Sequence, residues 1–286
     1  MKNYRAYSLL LVFTIVFLAS CEKSEESPEN GNSLKLPPYE SMVIDFGEFA
    51  ENPNSGKSSA LIYDNKAPNG NWVFSRIVVG VWNSALFTTL AVPVASFQTA
   101  FAHSPENLGN NIWQWTYSVD GFTSEYTARL TGEVTGEEVL WEMYITKEGI
   151  GAFEEFLWFS GSSAMDGNSG QWILNQSPEW PYAMLQIDWE RSNEEVAAIR
   201  YTWVREMDEQ ENDDLFRNSY LVYGLQEGDF DAYFNAHAYD SNMQDFTDVR
   251  IEWSRDTFAG RVMAANYFDD EAWHCWDSTG EDVLCE

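Results

Sequence analysis

Between Ile112 and Phe268 apolar and polar residues alternate along short stretches separated by Gly, Asn and Asp. In the first stretch Trp113, Trp115, Tyr117 and Val119 fall on one side, with Gln114, Thr116 and Ser118 on the other. A period of two puts successive side chains on opposite faces of an extended strand, so one face is dry and the other wet. The pattern predicts strands over 112–119, 125–134, 138–146, 153–160, 171–176, 183–190, 196–206, 215–225, 230–239, 248–254 and 260–268. Turn chemistry separates them: Asp120-Gly121, Thr135-Gly136, Asp166 to Gly170, Ser192-Asn193 and Glu227-Gly228-Asp229. Short connections favour pairing between sequence neighbours. The fold class expected is mainly β, a large curved antiparallel meander or barrel of about ten or eleven strands.

Parity assigns the faces. Ala183, Leu185, Ile187 and Trp189 oppose Gln186, Asp188 and Glu190. Ile199, Tyr201 and Trp203 oppose Arg200 and Thr202, and Val249, Ile251 and Trp253 oppose Arg250 and Glu252. Segment 206–214 is so acidic that it reads as a solvent loop.

Upstream the period changes. From Ile77 to Pro105 there is no Asp, Glu, Lys or Arg, and Val78, Val81, Trp82, Ala85, Leu86 and Thr89 recur every three or four residues. This predicts one long or kinked apolar helix within 75–104, with Pro93 lacking the N–H that a helix interior needs. Its charge-free circumference implies burial on several sides, and a membrane span competes by length alone. Before it, Met42 to Phe46 and Ala60 to Tyr63 are short strand candidates flanking a loop. Gly56-Lys57-Ser58-Ser59 lacks the upstream glycine of a phosphate loop, because Glu51 occupies that position.

The chain of 286 residues carries 46 acidic against 16 basic residues, a net charge of −30 that repels a phosphate backbone and excludes nucleic acid as an expected partner. Its 44% hydrophobic content argues against general disorder. At the N-terminus, Lys2 and Arg5 precede an uncharged run from Leu9 to Ala19, the form of a secretory leader. It ends in Leu18-Ala19-Ser20-Cys21. That sequence resembles the lipobox of bacterial lipoproteins, which implies cleavage before Cys21 and acylation of its thiol. The following Glu22-Lys23-Ser24-Glu25-Glu26-Ser27 resembles the acidic export tract of Bacteroidota surface lipoproteins. The resemblance implies a lipid anchor in the outer membrane, with the cell surface favoured over the periplasmic face. The expected organisation is a signal peptide over 1–20, a lipidated cysteine and flexible linker over 21–38, and a single β-rich domain over 39–286.

With Cys21 assigned to lipid, Cys275 and Cys285 remain, and an oxidising compartment favours a disulfide between them. A metal site on His274, Cys275 and Cys285 is the rival, without paired-cysteine spacing or a fourth ligand. The sequence calls for no cofactor. The three histidines, His103, His237 and His274, form no HExxH, and no GxSxG serine is present. His237 reads as a surface or pocket-rim residue. Glu142, Asp188, Glu190 and Glu252 stand at strand positions where a carboxylate pair would suit a glycan-acting enzyme, and Asp229 and Asp231 lack a calcium-loop pattern.

The aromatic wealth admits three readings. Trp113, Trp115, Trp141, Trp189, Trp203 and Trp253 fill a core, or ring a cavity for a hydrophobic ligand, or stand in an exposed row that binds glycan. A cup crossed by an apolar helix resembles lipoprotein-carrier and lipocalin-like folds, in which such a cavity holds acyl chains. The leading expectation is a non-enzymatic lipoprotein that binds or carries a hydrophobic small molecule. Carbohydrate-binding or adhesion, a structural or protein-interaction role, and an enzyme with paired carboxylates are the alternatives.

Overall fold

The computed structural model describes residues 33–43, 70–120, 124–192 and 195–285. The leader, Cys21, Ile44 to Phe46, Ala60 to Tyr63, Gly121 and Asn193 lie outside the described residues. A 3-10 turn at Tyr39–Ser41 precedes helix α1, Gly70–Ala100. Then come strands β1 (Glu106–Gly109), β2 (Ile112–Asp120), β3 (Glu125–Thr135), β4 (Glu138–Lys147), β5 (Phe153–Ala164), β6 (Ser169–Asn175) and β7 (Ala183–Ser192). They continue as β8 (Glu195–Trp203), β9 (Tyr220–Leu225), β10 (Ala232–Asp240), β11 (Asp245–Trp253) and β12 (Gly260–Met263). A one-turn helix α2, Ala265–Phe268, leads to β13 (His274–Trp276) and β14 (Asp282–Val283).

All fourteen strands form one antiparallel sheet in sequence order. Each strand pairs with its chain neighbours and β1 does not pair with β14, so of meander and barrel the sheet is the meander. The turns read from the sequence hold where they are described: Gly136, Gly167 and Gly228 adopt positive φ. Gly170 instead lies inside β6. The strand expected at 260–268 stops at Met263, and the segment at 215–225 begins only at Tyr220. Both segments carry apolar residues outside the ladder, Leu215 and Phe216 in one and Tyr267 and Phe268 in the other, and a short apolar run cannot by itself distinguish strand from other structure.

The inner face follows the predicted parity. Trp115, Leu130, Trp141, Met143, Trp172, Ile187, Trp189, Ile199, Ile251 and Trp253 all belong to one buried core. Several indoles lie across a glycine on the paired strand: Trp141 on Gly132, Trp172 on Gly161, Trp189 on Gly170 and Trp276 on Gly260. A Cβ on any of these four glycines would approach its ring to within 2.3–2.7 Å. The missing side chains are what lets flat rings cover the strands and fill the concave face.

Helix α1 lies on that face and bridges the two ends of the sheet, touching β2 and β3 on one side and β12 to β14 on the other. At its first turn the N–H groups of Gly70 and Asn71 donate to the Asp282 carboxylate at 3.2 and 3.0 Å, and Asn71 Nδ2 donates to the Cys275 carbonyl at 2.9 Å. A carboxylate there satisfies N–H groups that have no partner within the helix and opposes the helix dipole. Cys275 and Cys285 lie at disulfide distance, S–S 2.07 Å, across the β13–β14 hairpin that carries Asp282. At the other end Tyr117 donates its hydroxyl to the Ser96 carbonyl at 2.6 Å, and Phe97 packs edge-on against Phe159 and Trp172. Burial pushes the Tyr117 phenol far up, which keeps it a donor.

Trp72, Ser75, Val79, Leu86, Leu90, Phe97 and Ala100 make the buried stripe of α1. Of the sequence-based stripe, Leu86 is buried and Val78 and Trp82 pack against the core, whereas Val81 is 61% exposed. With no charge to mark the wet side, spacing gives a period without an orientation. The helix begins at Gly70 rather than near Ser75, and its arms Gly70–Leu86 and Thr89–Ala100 meet at 66°. Pro93 removes the hydrogen bond to the Thr89 carbonyl and crowds it, placing the bend one turn upstream. Among the described residues no single helix is long and apolar enough to cross a membrane.

Order begins earlier than the predicted linker boundary. Leu34 and Leu36 pack against the core, and Met42 is fully buried. Trp172 Nε1 donates to Ser41 Oγ at 3.1 Å, and the Tyr201 hydroxyl donates to the Met42 carbonyl at 3.2 Å. Met42, read as the start of a strand, caps the 3-10 turn instead.

Candidate functional site

Where α1 bends, it leaves the sheet incompletely covered. Between the bend and strands β7 to β9 lies an apolar chamber of about 400 Å³. Trp82, Ala85, Leu86 and Thr89 form its helix side, and Met184, Leu185, Tyr201, Trp203 and Leu221 its sheet side. Leu185, Tyr201 and Trp203 are inward positions by the alternation read from the sequence, whereas Met184 has the opposite parity. Phe216 and Ser219, from the loop between β8 and β9, stand at the edge.

Among the described residues that line the chamber, Arg205 is the one charged group. Asp214, whose side chain is 1% exposed, makes an ion pair with Arg205 Nε. Its Oδ2 also accepts from the Trp203 indole at 2.9 Å, and its Oδ1 accepts from the Phe216 N–H at 2.9 Å. Desolvation pulls the Asp214 carboxyl up, but bonds from Trp203, Arg205 and the Phe216 N–H outweigh it and hold the group below the usual carboxylate range. This carboxylate therefore fixes the loop that brings Phe216 to the chamber edge. Arg205 Nη1 donates to Gln176 Oε1 at 3.0 Å, while Gln176 Nε2 donates to Glu209 at 3.0 Å.

Three further polar side chains of the wall are likewise engaged. Thr89 donates to the Ala85 carbonyl at 2.9 Å, Tyr201 to Met42 at 3.2 Å, and Ser219 Oγ accepts from the Tyr239 N–H at 3.2 Å. Such a space offers dispersion contact and little hydrogen bonding, and its volume falls in the range of small-molecule sites.

A second hollow, about 590 Å³, lies on the other side of Arg205 and Gln176, which line both. Its walls include Trp180, Tyr182, Gln186, Glu206 and Glu209, and Tyr182 is 65% exposed. Glu206 is paired with Arg217.

Of the six tryptophans expected to ring a cavity, Trp203 alone lines the chamber. Trp115, Trp141, Trp189 and Trp253 are buried in the core, and half-buried Trp113 packs against it. Glycine partners under Trp141 and Trp189, and under their neighbours Trp172 and Trp276, contribute to this: the rings lie down and occupy the space a cavity needs. None of the thirteen tryptophans is exposed, so they form no external aromatic row. The residues that sequence reasoning missed are Trp82, Met184, Arg205, Asp214 and Phe216. Arg205, a lone cation next to nine residues rich in acid, was the available signal.

The remaining candidates lie elsewhere. His237 is stacked between Tyr220 and Phe246 on the outer face, with Nδ1 2.8 Å from Asp248. His274 stacks on Phe268 and bonds Asp270 at 3.0 Å, while the two cysteines are joined to each other, which removes the proposed metal donors. Among the described residues no group of three His, Cys, Asp or Glu is placed to hold a metal ion. His103 stacks on Tyr117. Glu142 accepts from Tyr144 at 3.1 Å, Asp188 from Gln171 at 2.7 Å, and Glu252 pairs with Arg261. Asp188 and Glu190 flank a separate open hollow with Arg200. Asp231 is bound to Arg255 at 3.0 Å.

The fold and site define a class by their construction: an open antiparallel meander whose ends are bridged by its own helix, with an apolar chamber under the bend. No family model, curated protein or solved structure matches the chain.

Proposed function

We propose that this chain is a lipid-anchored cell-envelope protein that binds or carries a hydrophobic small molecule, without catalysing a reaction on it. The observation that supports the reading is the apolar chamber of about 400 Å³, in which the polar groups of Thr89, Tyr201 and Trp203 are already bonded within the protein. At roughly 30 Å³ per water-sized group it accepts about a dozen chain atoms. The anchor is Cys21, and the location is the outer membrane, with the cell surface favoured.

Native mass spectrometry of the protein as purified tests this reading. A co-purifying apolar species, or uptake of dodecanol by stripped protein, is the expected result. Ala85→Trp, which fills the chamber from the helix side, removes that uptake while leaving the circular dichroism unchanged. A folded protein that neither retains nor takes up an apolar molecule ends the proposal. A second reading, carbohydrate binding, draws on the outer hollow: Trp180 and Tyr182 beside Gln186 and two glutamates offer ring faces and acceptors together. Saturation-transfer signals from a sugar, lost in Tyr182→Ala, identify that case.

A further inference from the structure

We infer that the chamber selects uncharged, hydrocarbon-rich molecules such as long-chain alcohols or esters, and rejects the carboxylates of the same chain length. The inference rests on the proposed binding role and names the class of ligand. It starts from the one charge in the wall. An arginine in an apolar pocket is ordinarily a receptor for a carboxylate, because the guanidinium fork presents donors to two oxygens at once.

Here the protein supplies that carboxylate itself. Asp214 occupies the Nε side of Arg205, and the Gln176 amide oxygen occupies Nη1 at 3.0 Å. Only Nη2 makes no hydrogen bond among the described residues. Its two hydrogens, with the second hydrogen on Nη1, are left to a ligand, and a hydroxyl or ester carbonyl can use them without bringing a second anion beside Asp214. A ligand carboxylate reaching the same nitrogen would stand close to Asp214, with a single guanidinium between two anions. Like charges sharing a site push one of them toward its neutral form, and burial adds to that cost. Asp214 is already held below the usual range, so the ligand's acid is the one that would have to take up the proton. The surroundings favour no second anion: Arg217 is already paired with Glu206, and Glu209 lies beyond the Arg205–Gln176 wall, in a chain of net charge −30.

The test compares dodecanol with dodecanoate on the full chain stripped of bound lipid, by titration of tryptophan fluorescence, since Trp82 and Trp203 line the chamber. Near neutral pH dodecanol is expected to bind at least about tenfold more tightly than dodecanoate. Dodecanoate affinity climbs as pH falls toward the carboxyl range of about 4–5, while dodecanol affinity stays level. Asp214→Asn frees the guanidinium and narrows or reverses the ratio of the two affinities, read within the same folded variant. The wild-type pH series stands if that variant fails to fold. Equal affinities, tighter binding of dodecanoate, or dodecanoate binding that stays flat on acidification overturns the inference while leaving the binding role intact. Failure of both probes to bind ends the binding role and this inference together.

Discussion

Gly161 gives the sharpest test of how the concave face is filled. It sits opposite Trp172 on the neighbouring strand, and a Cβ there would stand 2.1 Å from the Gln171 carbonyl oxygen and 2.5 Å from the Trp172 ring. Neither contact involves the tip of a flexible chain. One is ladder backbone; the other is an indole tied to Ser41 and packed on Phe97 and Phe159. Gly161→Ala must part the strands or lift the ring. Overpacking of this kind costs about 1–3 kcal/mol, and loss of the Trp172–Ser41 hydrogen bond adds about 1 kcal/mol. At roughly 2–4 °C per kcal/mol for a unit of this size, the midpoint falls by about 4–16 °C. Gly80→Ala is the matched control: its Cβ meets nothing within 4 Å on the helix surface, and it should gain about 0.5–1 kcal/mol. Urea unfolding with near-ultraviolet circular dichroism reads both. Gly161→Ala within about 0.5 kcal/mol of the parent, with its aromatic spectrum unchanged, would refute the reasoning. Recovery in Gly161→Ala/Trp172→Leu would assign the cost to the ring rather than the backbone.

Other outcomes follow from the same contacts. Asp214→Ala leaves the Arg205 guanidinium without its buried partner and should cost about 3–5 kcal/mol, measured by denaturation. Asp214 and Asp231 are held below the usual carboxylate range although desolvation, the largest single influence on each, raises them; Arg205 and Arg255 are among the partners that prevail. Their stabilisation is present above the unfolded value of about 3.9 and fades as pH drops through the lower folded values. Acid unfolding should therefore set in below about pH 4 and shift upward when Arg255 is replaced by Met. Asp282→Ala should cost about 1 kcal/mol and raise amide exchange selectively at Gly70 and Asn71. Cys21→Ser should move the protein from the membrane to the soluble fraction, and an unchanged distribution argues against the anchor.

Much of the sheet was legible because a one-residue slip would turn every side chain over, so half-buried strands advertise their register. That is why the inward positions at Leu185, Ile187, Tyr201 and Trp253 could be read directly. The ends resisted: β1, β13 and β14 are too short for a period to emerge. The chamber was harder to read. It depends on where a proline-strained helix bends and on which indoles lie over glycine, and both are tertiary facts. Asp214 was hidden by company, since one buried carboxylate looks like any other in an acidic run until its three donors are seen.

The carboxylate at the start of α1 comes from a residue 212 positions further along the chain. A protein that grows and folds from its N-terminus must therefore leave the first turn of that helix uncapped until Asp282 has emerged. Hairpins of the meander can close one after another in the meantime, and the strut that holds them waits for the tail. A disturbance of the β13–β14 hairpin would be felt first at Gly70 and Asn71, more than two hundred positions earlier in the sequence.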